Sequence, residues 1–160
     1  MVDAVSLSNL CKHFGPINAV NSVSLSVKRG EVLGLFGHNG AGKTTLMKLI
    51  LGIIQPTSGQ VQVFGQPPGT RNDRVSRLDI GYLPENVAFY RELTGREILD
   101  FFSKLKGVAP SERDRLLNRV GLAGAADRRI RGYSKGMRQR LGLAQALLGQ
   151  PRLLLFDEPT

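Results

Sequence analysis

Little in this chain could tie it together covalently or root it in lipid. Cys11 is the only cysteine. That excludes an internal disulfide and a cysteine-built metal cage, and it points to a reducing, cytoplasmic setting. The expected state of Cys11 is a free thiol, half-buried on a strand. No apolar run approaches the roughly 18 residues that a membrane-spanning helix needs. The opening MVDAVSLSNL has no basic segment followed by an apolar core, so it does not read as a secretory leader. Repeats, low-complexity tracts and evident linkers are missing too. A length of 160 residues suits one domain rather than two, and 41% hydrophobic residues are enough for a packed core.

Acidic residues are the other shortage. Thirteen Asp and Glu face 22 Lys and Arg, for a net charge of +9. Nearly all of the excess lies in residues 104–140, where eleven Lys or Arg meet only Glu112, Asp114 and Asp127. Such a stretch reads either as a solvated helical face or as a docking surface for a partner or an anion. A strongly basic chain also invites a nucleic-acid reading.

Periodicity supplies the elements. AVSLSNL and AVNSVSLSV alternate apolar with polar and predict half-buried strands in a small antiparallel layer over residues 1–30. EVLGLF, residues 31–36, is apolar nearly throughout and predicts a strand covered on both faces of a parallel sheet. TTLMKLILGII predicts a helix; QVQVFG and DIGYLP predict further strands. Beyond Pro84 the pattern turns helical. Thr94 and Glu97 form a capping box and Gly107 a stop. Ser111 is the expected N-cap of the next helix. A third helix carries Met137, Leu141, Ala144 and Leu148 on one face and stops at Gly149 and Pro151. RLLLF, ended by DEP, is a last short strand.

Between the predicted strand EVLGLF and the helix lies GHNGAGKTT, residues 37–45. Gly37, Gly40, Gly42, Lys43 and Thr44 fit G-x-x-x-x-G-K-[ST] in the strand–loop–helix context that this pattern requires. Glycines let successive backbone N–H groups turn inward around a phosphate. The helix opening at Lys43 adds its positive end, and Lys43 itself adds a point charge. Thr44 offers a hydroxyl to Mg²⁺. The bland alternative is a glycine-rich turn with a solvated lysine. Asp157, at the end of RLLLF, is the carboxylate such a metal needs, and Glu158 is placed to accept a proton from an attacking water.

Taken together, GHNGAGKTT and YSKGMRQRLGLAQALLGQPRLLLFDEP resemble the Walker A loop, signature motif and Walker B of the nucleotide-binding subunits of ABC transporters, and the resemblance covers nearly the whole chain. It implies an α/β, P-loop NTPase fold with a mainly parallel sheet, an N-terminal antiparallel β layer and an inserted helical subdomain. The expected parts are the antiparallel layer at 1–30, the P-loop core at 31–84, the helical signature subdomain at 85–150 and the Walker B strand at 151–160. The resemblance also implies an ATPase with ATP and Mg²⁺ as ligands. Asn39, Ala41 and Thr45 join the loop glycines, Lys43 and Thr44 in holding ATP. Ser134 and Gly136 act in trans on nucleotide held by a second copy, and Ser134 would equally be an ordinary N-cap. Phe14 stands where the family stacks a ring on adenine; the other reading is a strand-end aromatic packed in the core.

Departures from the family pattern carry expectations too. Glu85 stands where the family usually has glutamine near the metal, and it keeps acceptor oxygens while adding charge. The signature reads Tyr133, Ser134, Lys135, Gly136, similar to the subgroup whose ATPases pair with separate permease subunits. FGHNGAGKTTLMKLILG and GYLPENVAFY are most similar to the ATPase subunit of the transporter that supports copper-site assembly in nitrous-oxide reductase. The family continues past Walker B with a D-loop, another strand, a switch histidine and a C-terminal region. A chain ending at Thr160 is therefore expected to be part of a longer protein and inactive alone. The expected partners are an integral membrane permease and a second copy, with no nucleic acid. The expected location is the inner face of the cytoplasmic membrane. The rival reading is a soluble ABC-type ATPase acting on ribosomes or nucleic acid. The absence of a heptad run between Lys43 and Ser134 argues against its chromosome-associated branch.

Overall fold

The structure is a computed structural model that describes residues 2–69 and 78–157. The chain divides into two compact units, Met1–Arg77 and Leu78–Thr160.

In the first unit, β1 (Val5–Phe14), β2 (Ile17–Val27) and β3 (Ser58–Val63) form an antiparallel sheet in the order β2-β1-β3. Helix α1 (Lys43–Ile50) packs on β2 and β3. Alternation puts Val5, Leu7, Val61 and Val63 into the core, where Leu46, Met47, Leu49 and Ile50 of α1 are also buried. Strand β3 thus belongs to the antiparallel layer, although its sequence lies beyond residue 30. Cys11 is a half-buried free thiol whose Sγ accepts the Ser22 N–H at 3.2 Å.

EVLGLF departs from expectation. No ladder forms over residues 31–36, and Val32 and Phe36 are 96% and 97% exposed. The physical reason is that a strand is not a local property. Apolar composition favours one only where a neighbour satisfies the backbone N–H and C=O groups, and among the described residues no strand pairs with this run.

In the second unit, β4 (Ile80–Leu83) and β5 (Leu153–Phe156) pair in parallel, Ile80 opposite Leu153 through Leu83 opposite Phe156. Three helices surround a core of Leu99, Leu116, Leu117, Leu122, Ile130, Leu141 and Leu148. These are α2 (Gly95–Lys106), α3 (Pro110–Arg119) and α4 (Lys135–Leu147). The predicted stripe on α4 is buried at Leu141, Ala144 and Leu148, with Met137 packed beside it.

Local signals decide the helix ends. The Thr94–Glu97 capping box is complete, and Gly107 ends α2 in the left-handed region at φ 69°. Its hydrogen bonds to Thr94 hold the Glu97 carboxyl below the usual range, the Thr94 backbone N–H contributing most. The expectation for Ser111 needs correction. Pro110 takes the first helical position and Ala109 is the N-cap, with no side-chain cap. Proline has φ already set and no N–H to orphan, so it fixes the start one residue before the serine could.

The basic excess has identifiable uses. Arg96 bonds Asp114 at 2.5 Å and Asp127 at 2.6 Å, while Arg113 bonds Asp100 at 2.5 Å and Asp114 at 3.0 Å, making one chain of alternating charge across α2 and α3. Arg140 donates to the carbonyls of Val120 and Gly121 past the end of α3, and Lys106 to that of Leu148 past the end of α4. Cations at helix C-termini meet the negative end of the dipole.

Gly81 sits at the tightest junction of this unit. A Cβ there would stand 2.1 Å from the Ala146 carbonyl oxygen of α4. Gly81→Ala is therefore expected to destabilise the protein by about 1–3 kcal/mol, the range for overpacking a filled interior. Gly124→Ala, where a Cβ would meet nothing within 4 Å, should change stability by less than about 0.5 kcal/mol. Denaturant midpoints of the two variants check this; equal midpoints would mean that the β4–α4 contact yields freely.

Candidate functional site

Residues 37–45 form an exposed turn that runs into α1. Ala41 N–H donates to the His38 carbonyl at 3.1 Å, and Leu46 N–H to the Gly42 carbonyl at 2.8 Å. Gly42 is the N-cap of α1, in the left-handed region at φ 88°, and makes no side-chain cap bond. A Cβ on Gly42 would stand 2.1 Å from the Ala19 carbonyl oxygen, so strand β2 presses directly on the loop backbone. The Lys43 ammonium folds back to the Gly37 carbonyl at 2.7 Å and the His38 carbonyl at 3.2 Å. A cation therefore stands inside the loop's own curve, beside the N-terminus of a helix whose first N–H groups have no intrahelical acceptor. Thr44 and Thr45 are half-buried in the first turn, and Asn39 and Gly40 are exposed. What this arrangement offers chemically is one ammonium and two hydroxyls beside the positive end of a helix, groups that favour an anion.

Phe14 ends β1 and is 47% exposed. The reading of a ring packed in the core is thus not the one realised. Lys12, two residues earlier on the same strand face, places its ammonium 5.1 Å from the centre of the ring. Sequence reasoning missed Lys12; the i, i+2 spacing on a strand was the signal that could have found it.

The second unit holds the other predicted residues. Asp157 follows β5 directly and is 2% exposed. Its N–H donates to the Leu83 carbonyl at 2.9 Å, extending the ladder one step past the strand. Glu85 lies exposed in the bend just after β4, so both carboxylates sit at the C-terminal ends of two adjacent parallel strands. Glu158 lies outside the described residues. Tyr82 was not foreseen. It stands opposite Leu155 in the ladder, on the sheet face that Asp157 continues. Burial first, then the charge and hydrogen bond of Asp157, push the Tyr82 ionisation above its usual range.

Ser134 is the N-cap of α4, and its hydroxyl accepts the Met137 N–H at 3.2 Å. The residues around it are pinned: Tyr133 OH donates to the Ala125 carbonyl at 2.7 Å, and Arg138 to the Tyr133 carbonyl at 2.6 Å. Gly136 is exposed, and a Cβ there would meet nothing within 4 Å. The fold of this unit therefore sets no demand for glycine at that position.

Within the first unit the structure assembles Gly37, Asn39, Gly40, Ala41, Gly42, Lys43, Thr44 and Thr45 as one loop. Within the second, Asp157 and Glu85 follow the C-terminal ends of the paired strands β5 and β4, and Ser134 and Gly136 lie at a separate helix N-terminus.

Comparison with known proteins places the chain in a family. Residues 20–160 match the profile of the family described as ABC transporter. The chain is 43% identical over 159 residues to the ABC transporter ATP-binding protein YxlF of Bacillus subtilis (strain 168), covering 97% of this chain and 52% of that one. It is 39% identical over 161 residues to the bacitracin transport ATP-binding protein BcrA of Bacillus licheniformis, covering 100% and 52%. A solved ATP-binding subunit of an ABC transporter superposes with a TM-score of 0.87 at 31% identity, covering 98% of this chain and 66% of that one. The chain spans about half the length of the curated relatives it matches.

Gly42→Ala tests the loop directly. A side chain at a left-handed position costs about 1–2 kcal/mol before any overlap with Ala19 is counted. The variant should lower the melting temperature and displace the Ala19 backbone, which amide shifts in an NMR spectrum would report. An unchanged melt with Ala19 unmoved would contradict the described loop.

Proposed function

The chain belongs to the ABC transporter family, and from that premise we propose that it is the ATP-binding, ATP-hydrolysing part of a subunit that energises a membrane permease. The observation that carries the reading is the loop before α1, where the left-handed Gly42 turns the chain into the helix and the Lys43 ammonium folds back over the loop to the Gly37 and His38 carbonyls. Gly37 to Gly42 would wrap the phosphates, Lys43 would meet the β- and γ-phosphates, and Phe14 would carry the adenine ring on its exposed face.

The donor set suits Mg²⁺. Thr44 in the first unit offers a hydroxyl, and Glu85 and Asp157 in the second offer carboxylates, the hard oxygens that Mg²⁺ prefers. Mg²⁺ is commonly held by one or two carboxylates together with substrate phosphates rather than by an all-protein cage. Bound there, it would neutralise charge growing on the phosphates. In the proposed chemistry Glu158 takes the proton of the attacking water, water oxygen bonds to the γ-phosphorus, and ADP leaves.

Ser134 and Gly136 complete the site of a second copy. Two features support this: the N–H groups of the first turn of α4 have no intrahelical acceptor, and Gly136 meets no neighbour that would require glycine. The proposed partners are accordingly a second copy and an integral membrane permease, and the proposed location is the inner face of the cytoplasmic membrane. No described helix is long and apolar enough to cross a membrane. The use of the basic excess in ion pairs and helix ends favours this reading over one on ribosomes or nucleic acid. The narrower proposal, cargo delivery for the copper site of nitrous-oxide reductase, is supported by the wording of FGHNGAGKTTLMKLILG and GYLPENVAFY.

Two outcomes test the proposal in the full-length protein. Lys43→Ala should weaken MgATP binding roughly ten- to a hundredfold, because a charge-assisted contact is worth ~1.5–3 kcal/mol; unchanged affinity by calorimetric titration would sink the loop assignment. Ser134→Arg should bind ATP as a monomer yet fail to dimerise or hydrolyse it, since bulk and charge enter the interface. Mixing it with Lys43→Ala should restore part of the phosphate release, because one of the two composite sites then keeps both partners. Near-parental turnover by Ser134→Arg alone would refute action in trans.

A further inference from the structure

The end of β1 carries a cation over an aromatic ring. The Lys12 ammonium lies 5.1 Å from the centre of the Phe14 ring, inside the roughly 6 Å at which the negative face of a ring attracts a cation. The same ammonium is anchored, donating to the Gln55 carbonyl at 2.7 Å. Strand and segment are clasped twice more, by the Thr57 N–H on the Cys11 carbonyl at 2.9 Å and the His13 N–H on the Thr57 hydroxyl at 3.0 Å. Phe14 nevertheless stays 47% exposed. Register sets it beside the loop before α1. Phe14 stands opposite Ile17 on β2. Two residues further, about 7 Å of strand, is Ala19, whose carbonyl lies against Gly42.

We infer that Lys12 is a positioning residue for Phe14: its ammonium, anchored on Gln55, holds one face of the ring so that the other face stacks on the base of a bound nucleotide. The inference rests on the reading of Phe14 as the adenine platform. A strand-end ring with so much of its surface in water would otherwise sample several rotamers, and an arriving base would have to still it. A cation already seated on one face removes part of that cost. It also draws π density towards itself, so the far face repels the π cloud of a stacked purine less. A lysine kept only for solubility would extend into water; this one is half-buried and turned onto a carbonyl and a ring.

The test is calorimetric titration of the full-length protein with MgATP. Lys12→Met keeps the apolar stem and removes the charge, and should weaken binding roughly two- to fivefold, the worth of an exposed cation–π contact. Phe14→Ala should weaken it roughly five- to a hundredfold, the worth of a stacked base. In the Phe14→Ala background Lys12→Met should cost nothing further. Lys12→Arg, which keeps a cation for the ring, should recover most of the loss. Inorganic tripolyphosphate, a probe without a base, should bind the parent and Lys12→Met alike, which a general loosening of the unit would not allow. Parental affinity for Lys12→Met beside a weakened Phe14→Ala overturns the inference and leaves the platform standing. Parental affinity for both overturns the platform and the inference with it. A Lys12→Met loss that persists without the Phe14 ring, that tripolyphosphate shares, or that Lys12→Arg does not reduce overturns the inference too. Should Lys12→Met fail to melt cooperatively, an NMR spectrum of the parent decides. The ring current of Phe14 should move the Lys12 ε-methylene protons upfield of those of the other lysines, and an unshifted signal overturns the contact.

Discussion

The Ala19 carbonyl lies 2.1 Å from where a Cβ on Gly42 would stand, and the Ala146 carbonyl lies at the same distance from a Cβ on Gly81. In both units a backbone oxygen occupies the space that a side chain would need, and in both the contact decides how neighbouring elements meet. At Gly42 the contact seats the loop on β2 just where α1 begins. This fixes the curve in which Lys43 meets its own carbonyls. At Gly81 it draws β4 onto α4, which steadies the strand carrying Tyr82 and, through the Leu83 carbonyl, the backbone of Asp157. Close approach of backbone to backbone is a steric constraint rather than an energetic preference. It leaves glycine as the residue that fits without displacing a main chain.

Much of the second unit was legible because its signals are local. The capping box of Thr94 and Glu97, the left-handed Gly107 and the Ser134 cap each depend on residues within one turn, and each formed as read. The turn into α1 was legible for a similar reason: its residue types sit at fixed spacing, and the Ala41 and Lys43 bonds close within the segment. Ser111 was misread because two local rules competed, and the fixed φ of Pro110 prevailed over the serine side chain. EVLGLF was misread because its evidence was composition alone. Val32 and Phe36 carry strand propensity, but the ladder that would realise it lies outside the run itself. Tyr82 was invisible for a related reason. Its link to Asp157 is a matter of register between distant strands, which no window along the chain contains.

The basic stretch keeps its net positive charge, but several of its cations have partners within the unit: Arg113 pairs with Asp100 and Asp114. Arg140 and Lys106 meet main-chain carbonyls beyond helix ends. Exposed pairs of this kind contribute little singly, typically 0–1 kcal/mol. Their arrangement as a chain of alternating sign across α2 and α3 fixes orientation more than it adds stability. Burial lowers the Lys106 ionisation, opposed by the nearby Glu112 charge.

Under the proposed reading, the two helix N-termini explain why a nucleotide would join two copies. The start of α1 and the start of α4 each present backbone donors, equivalent to roughly half a positive charge apiece. Lys43 stands at the first and Lys135 at the second. Brought together with nothing between them, they repel. A triphosphate placed between them supplies the missing charge, so each end favours the anion already bound to the other. Association is then conditional on the ligand by electrostatics alone, and the ligand's differential affinity for the closed state is what drives closure. Hydrolysis turns one bridging anion into two that are separately held, which removes the shared charge without any change in either helix.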